Sequence, residues 1–191
     1  LKCLQKSKSL RTILSGVEGV GPSTKSYVDL CLSKFRYLRV LVLSDSSFEV
    51  LPSSIGTMKH LRLLDLTKNF RIHKLPNSIC KLQNLQNLAL HGCEKLEELP
   101  KDIRYLIRLR TFLMTTKQKC LPGFSNSLQS LGLFNCGNLE SLVEMMQVYS
   151  YLKEEFKSSM MMTPKSLKLD LGRPLIKASG AGSRNFVQCV P

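Results

Sequence analysis

Leu51-Pro52-Ser53-Ser54-Ile55, Leu75-Pro76-Asn77-Ser78-Ile79 and Leu99-Pro100-Lys101-Asp102-Ile103 are one phrase written three times at a step of 24 residues. The register extends beyond the phrase. Leu61, Leu85 and Leu109 share the same step, as do Phe48, Ile72 and Leu96, and Met58, Leu82 and Leu106. A unit this short cannot bury its own apolar side chains, so it must stack on copies of itself. That excludes a single closed core and points to a solenoid, which offers an extended surface. Binding is then the default role, and catalysis needs separate evidence.

Each unit reads L-x-x-L-x-L-x-x-(N/C/S). The clearest lines are Leu38 to Leu43, Leu61 to Leu66, Leu85 to Leu90 and Leu128 to Leu133, with Leu109 to Met114 a variant and Leu10 to Ile13 a weak opening copy. Successive strand residues face opposite ways, so the fourth and sixth positions point inward and the third, fifth and seventh outward. The spacing predicts strands near 40–43, 63–66, 87–90, 111–113 and 130–133, stacked in parallel. Ninth-position Asn69, Cys93 and Cys136 can satisfy backbone groups where the chain leaves the sheet. The Leu-Pro phrase then enters a short helical turn. Ile55 and Met58 fall four and seven residues after Leu51, the spacing of one helical face. The fold expected is an α/β repeat, a leucine-rich-repeat solenoid with a curved parallel sheet on its concave face and short helices or turns on its convex face.

Residues 25–34 read as a helix of the opening repeat. Tyr27, Leu30, Cys31 and Phe35 are at helical spacing, and Ser23 or Thr24 is available as N-cap. After Leu133 the pattern degrades: Leu142 to Phe156 makes an amphipathic stretch suited to a capping helix. Ser166 to Leu169 is a candidate last strand, and Leu171 to Pro191 reads as irregular. Residues 1–9 are taken as a linker from an upstream domain, 10–151 as a repeat domain of five to six units, and 152–191 as a degenerate repeat or cap with an irregular tail. The chain opens at Leu1, inside its first repeat and without a polar cap, so it reads as part of a longer protein whose first sheet edge is bare here.

Seven cysteines, none in a C-x-x-C pair and none spaced with the three histidines as ligands, suit reduced thiols in the cytoplasm rather than a metal site. No Asn-x-Ser/Thr sequon occurs, and no run of about 18 apolar residues could span a membrane. The net charge of +14 could attract several kinds of anion. Yet no nucleic-acid-binding module signature is present, so nucleic acid is not an expected partner. The glycine-rich stretch from Gly16 to Lys25 lacks the glycine that a phosphate loop needs before Lys-Ser/Thr, and Pro22 removes a donor. No nucleophile and base are suggested by local motifs, and Glu97 with Glu98 reads as a solvated pair. No enzyme activity, cofactor or metal is expected.

The outward strand positions define the candidate binding face: Val40, Val42, Leu63, Asp65, Thr67, Asn87, Ala89, His91, Thr111, Leu113, Ser130 and Phe134, together with Ser44, Thr115 and Gly132. Asp65 is the one formal charge among them. His91 reads as an isolated hydrogen-bonding surface residue. Second-position Arg11, Arg39, Arg62 and Arg110 would stack along one edge, either simply solvated or as a basic rail for an acidic surface.

The run from Ser9-Leu10-Arg11-Thr12-Ile13-Leu14 through Phe35-Arg36-Tyr37-Leu38-Arg39-Val40-Leu41, the phrase Leu75 to Gln86, Leu88 to Cys93, and Leu96 to Lys101 resemble the leucine-rich region of plant intracellular coiled-coil, nucleotide-binding, leucine-rich-repeat disease-resistance proteins. The resemblance covers residues 4–151, and the tail from about residue 152 departs from it. Extracellular plant receptors carry a glycine-isoleucine-proline phrase where this chain has Leu-Pro-x-x-Ile. The resemblance implies a cytoplasmic, non-catalytic domain that reads a pathogen effector or guarded host protein while restraining an upstream nucleotide-binding domain in cis. The alternatives are a Ras-group intracellular leucine-rich-repeat signalling scaffold and an inert truncated remnant.

Overall fold

The structure, a computed structural model, describes residues 10–15, 25–118, 120–125, 127–135, 166–170 and 187–190. Its centre is one sheet with strands in chain order: β1 (Thr12–Ser15), β2 (Val40–Leu43), β3 (Leu63–Asp65), β4 (Asn87–Leu90), β5 (Thr111–Thr115), β6 (Ser130–Phe134), β7 (Ser166–Asp170) and β8 (Val187–Val190). The first six run parallel, as the repeat register requires, with Leu41 opposite Leu64, Leu64 opposite Leu88, and Leu88 opposite Phe112. Inward side chains fill the space behind them: Leu41, Leu43, Leu64, Leu66, Leu90, Phe112, Met114, Leu131 and Leu133 are fully buried. Each such burial stabilises by about 1.5–3 kcal/mol. The core is one continuous cluster running from Ile13 to Leu133.

The back of each regular repeat is a 3₁₀ turn rather than an α-helical face. The three turns are Ser53–Thr57, Asn77–Lys81 and Lys101–Tyr105. Proline precedes each at φ −60, −69 and −56°, and its carbonyl accepts from the isoleucine N–H at 3.0–3.1 Å. Leu51 therefore lies ahead of the turn and Met58 ends it, although both are buried with Ile55. A 24-residue unit must cross the back quickly, and a 3₁₀ rise of about 2 Å per residue covers more distance than an α-helix. Successive turns are in tight contact: a Cβ on Gly56 would sit 2.7 Å from both Ser78 Cβ and Ser78 O. Ser78 Oγ donates to Ser53 O at 2.7 Å.

The opening helix α1 spans Lys25–Lys34, the range expected. Its inner face differs, since Leu30 is exposed and the buried set is Val28, Cys31, Leu32 and Phe35, spaced i, i+3, i+4, i+7. β7 pairs antiparallel with both β6 and β8, Leu131 with Leu169 and Leu167 with Cys189. Val187–Val190 is thus a strand inside a tail read as irregular. Outside the 24-residue register, repeat spacing carries no information about pairing. The glycine-rich stretch 16–24, including the candidate caps Ser23 and Thr24, the amphipathic stretch from Leu142 to Phe156, and Cys136 lie outside the described residues.

The ninth position holds the repeats together. Buried Asn69 donates from Nδ2 to Leu43 O (2.8 Å) in the preceding repeat and Leu66 O (2.7 Å) in its own, and its Oδ1 accepts from Ser46 N–H at 3.0 Å. Ser46 and Cys93 occupy the neighbouring equivalents: Ser46 Oγ donates to Leu43 O at 3.0 Å and Cys93 Sγ to Leu66 O at 3.1 Å. Burial pushes the Cys93 thiol up to about 11, so the neutral donor is the form present at neutral pH.

Candidate functional site

Register places the outward residues in three rows across the sheet. Val40, Leu63, Asn87, Thr111 and Ser130 form one, and Val42, Asp65, Ala89, Leu113 and Gly132 the next. Ser44, Thr67, His91, Thr115 and Phe134 lie beyond them, at the C-terminal ends of the strands. Most are half-buried, as befits side chains standing side by side on an open sheet. Three depart from that pattern, His91 by being exposed and two by being buried. Thr115 is buried, its hydroxyl accepting the Gly92 N–H at 2.8 Å and lying 3.2 Å from His91 Nδ1. Gly132 is buried because Leu113 leans over it: a Cβ there would meet Leu113 Cδ2 at 2.6 Å.

His91 is exposed and hydrogen-bonded, but it is not isolated. Its ring lies 4.1 Å, centroid to centroid, from Phe134, two strands away, at a tilt of 53°. His91, Leu113 and Phe134 thus gather where Gly132 lets Leu113 pack down onto the sheet. Asp65 stands apart on β3, where its Oδ1 accepts the Thr67 N–H at 2.8 Å. Leu14 was missing from the expected face: it pairs in register with Val42 and is 74% exposed. Its fifth-position place in Leu10-Arg11-Thr12-Ile13-Leu14 was the signal for it.

The second-position arginines form a continuous edge. Arg39 N–H donates to Arg11 O (2.7 Å), Arg62 N–H to Arg39 O (2.8 Å), Gln86 N–H to Arg62 O (2.8 Å) and Arg110 N–H to Gln86 O (2.8 Å). Gln129 N–H in turn donates to Arg110 O (2.8 Å), so the stack is Arg11, Arg39, Arg62, Gln86, Arg110, Gln129, with two neutral members. All four arginines are exposed and make no ion pair among the described residues. One residue before each repeat's first leucine runs a row that the sequence reading missed. Tyr37 and His60 rings lie 5.5 Å apart, Asn84 Nδ2 donates to Lys59 O (2.7 Å), and Arg108 Nη1 donates to Asn84 Oδ1 (2.8 Å). Its signal was the side-by-side recurrence of these positions in the repeat alignment.

Other features are less specific. A cleft of about 410 Å³ between the second and third Leu-Pro phrases is lined by carboxylates and cations together, Glu97, Glu98 and Asp102 with Lys74 and Lys101. Among the described residues no group of three or more His, Cys, Asp or Glu side chains could hold a metal ion, and no helix is long and apolar enough to cross a membrane. Burial, followed by the nearby Asp102 charge, raises the Cys80 thiol to about 11.

Comparison with known proteins follows the same lines. The family described as leucine-rich repeat region matches residues 20–162. The chain is similar to TMV resistance protein N of Nicotiana glutinosa (44% identical over 68 residues, 35% of this chain and 6% of that protein). It is also similar to two Arabidopsis thaliana proteins. One is disease resistance protein RPS4B, 36% identical over 85 residues, 44% of this chain and 7% of that protein. The other is disease resistance RPP13-like protein 4, 30% identical over 146 residues, 73% of this chain and 15% of that protein. The matches thus span only a small part of these relatives. Among solved structures, a leucine-rich-repeat protein of Leptospira interrogans superposes with a TM-score of 0.55 at 26% identity, covering 74% of this chain and 34% of that one.

Proposed function

Because this chain belongs to the leucine-rich repeat region family, with plant disease-resistance proteins among its relatives, we propose that it is the protein-reading part of a cytoplasmic immune receptor. Its sheet face contacts a pathogen effector or a guarded host protein. Its arginine edge docks an acidic surface of a nucleotide-binding domain in cis and so restrains that switch. The domain itself is non-catalytic.

The observation that carries this reading is the separation of charge on two surfaces of one sheet. The edge presents Arg11, Arg39, Arg62 and Arg110 in backbone-linked order without carboxylate partners among the described residues, whereas the face from β2 to β6 has Asp65 as its one formal charge. Exposed charges mostly steer encounter and fade with salt, while half-buried apolar and aromatic groups supply affinity at an interface centre. One surface is thus suited to a reversible electrostatic clamp and the other to recognition.

The test uses a plant receptor carrying this chain as its leucine-rich region, with cell death in leaves as the readout. Charge reversal at Arg39, Arg62 and Arg110 should release the switch without effector. Alanine at Leu63, Leu113 and Phe134 should abolish the effector response and leave the resting state silent. Identical effects from the two sets, or no effect from either, would refute the division.

A further inference from the structure

Resting on the reading of the sheet face as the recognition surface, we propose that it recognises an amphipathic helix at two points. Asp65 selects a Lys or Arg side chain, and the apolar patch formed by Leu113, Phe134 and His91 packs against a leucine or aromatic side chain one helical heptad away.

The electrostatic point is unusual in its setting. The chain carries +14, yet the single carboxylate on this face lies among Leu63, Val42 and Ala89, uncharged and half-buried. One of its oxygens holds the Thr67 N–H, and it makes no ion pair among the described residues. A partner cation elsewhere on the face finds no opposite charge. At Asp65 it finds one whose surroundings are partly apolar, where attraction is less screened.

The apolar point is preorganised. Gly132 has no side chain, so Leu113 packs down onto it, and the Phe134 ring stands beside it 4.1 Å from that of His91, making one continuous apolar patch. The Thr115 hydroxyl, itself fixed by the Gly92 N–H, holds His91 Nδ1 at 3.2 Å. Little side-chain freedom is left to lose when a ligand binds.

The spacing between the points fits a helix and not a β-extended segment. Asp65, Ala89 and Leu113 are successive register partners, so Asp65 and Leu113 are two strand spacings apart, about 9.6 Å. Residues i and i+7 of an α-helix share a face and are about 10.5 Å apart. Same-face residues of an extended segment recur at about 6.6 and 13 Å, and neither fits. Ala89, small and midway between the points, leaves room for the helix to lie across the strands.

The experiment pans a phage-displayed library of 16-residue helical peptides on the full 191-residue chain and on its D65N and L113A/F134A variants, each checked for native circular dichroism. Asn at position 65 keeps an oxygen for the Thr67 N–H and removes only the charge. The expected sequences pair Lys or Arg with Leu, Phe or Trp seven residues away. D65N should weaken such clones about fivefold and leave Gln-substituted versions unchanged. L113A/F134A should abolish binding of both. Clones that need Leu113 and Phe134 but show no cation preference would overturn the two-point inference and leave the face reading intact. Clones indifferent to every face substitution, or no enrichment at all, would overturn both.

Discussion

Asn69 is the residue whose removal the structure prices most directly. Its side chain serves three buried backbone groups, and replacement by alanine affects each differently. The Ser46 N–H loses its acceptor at 3.0 Å and is left without a partner. Leu66 O loses a 2.7 Å amide donor and keeps the weak thiol of Cys93, while Leu43 O keeps the Ser46 hydroxyl. A buried group left unpaired costs about 1–3 kcal/mol, and a partly compensated one less. Asn69→Ala should therefore destabilise the chain by about 2–4 kcal/mol. Asn69→Asp is the sharper variant: it can still accept from Ser46 but sets a carboxylate against two carbonyl oxygens, so it should be at least as damaging as alanine. The control is Asn77→Ala, exposed on a 3₁₀ turn, expected to change stability by less than about 0.5 kcal/mol. Guanidinium unfolding followed by circular dichroism supplies the comparison. An Asn69→Ala shift no larger than the control's, or an aspartate variant more stable than the alanine one, would refute the ladder as the source of inter-repeat cohesion.

Gly56→Ala should cost about 1–3 kcal/mol in the same assay, because the new methyl would lie 2.7 Å from Ser78 O, a backbone atom that cannot swing aside. In native protein at pH 8, iodoacetamide followed by mass spectrometry should label exposed Cys120 and spare buried Cys80 and Cys93. Burial raises both thiols to about 11 when folded against 9.0 for an ordinary thiol, so the unfolded chain loses those protons first. Their contribution is complete below pH 9.0 and declines toward 11, and Cys93→Ala should flatten that part of the stability profile. Binding of the arginine edge to an acidic partner domain should weaken with added salt, and each charge reversal among Arg39, Arg62 and Arg110 should cost about three- to tenfold in affinity, read by titration at two ionic strengths.

What the sequence made legible is what the period controls. Leu41, Leu64 and Leu88 must face inward together, because shifting one strand by a residue would turn its leucines to solvent. The arginine edge was legible for the same reason, since a fixed position recurs at a fixed height on the sheet. Turn type was not, because Leu51, Ile55 and Met58 are buried whether the intervening chain is α or 3₁₀. The face of α1 was misjudged at Leu30 since three phases of a short apolar helix are nearly equivalent, and packing on the next repeat chose among them. The His91–Phe134 contact was hidden because it needs the alignment of β6 with β5. The connection before β6 is outside the 24-residue step.

Regularity also explains where chemistry can reside in such a chain. Inward leucines, ninth-position residues and Leu-Pro turns are fixed by packing against both neighbouring repeats, so a substitution there is felt in two interfaces at once. Outward positions touch only their flanking rows and can vary without disturbing the stack. The informative residues are therefore those that interrupt an outward row: Asp65 in an uncharged line, Gly132 where a side chain would stand, Phe134 at the end of a row of otherwise polar residues, and Gln86 between arginines. None of these serves the repeat core. Gly132 lets Leu113 lie flat, and Phe134 places a ring within reach of His91. Three of the four lie on the sheet face, within about 15 Å of one another by strand spacing. A surface free to vary that instead concentrates its exceptions in one place has the form of a recognition site on a scaffold whose stability is settled elsewhere.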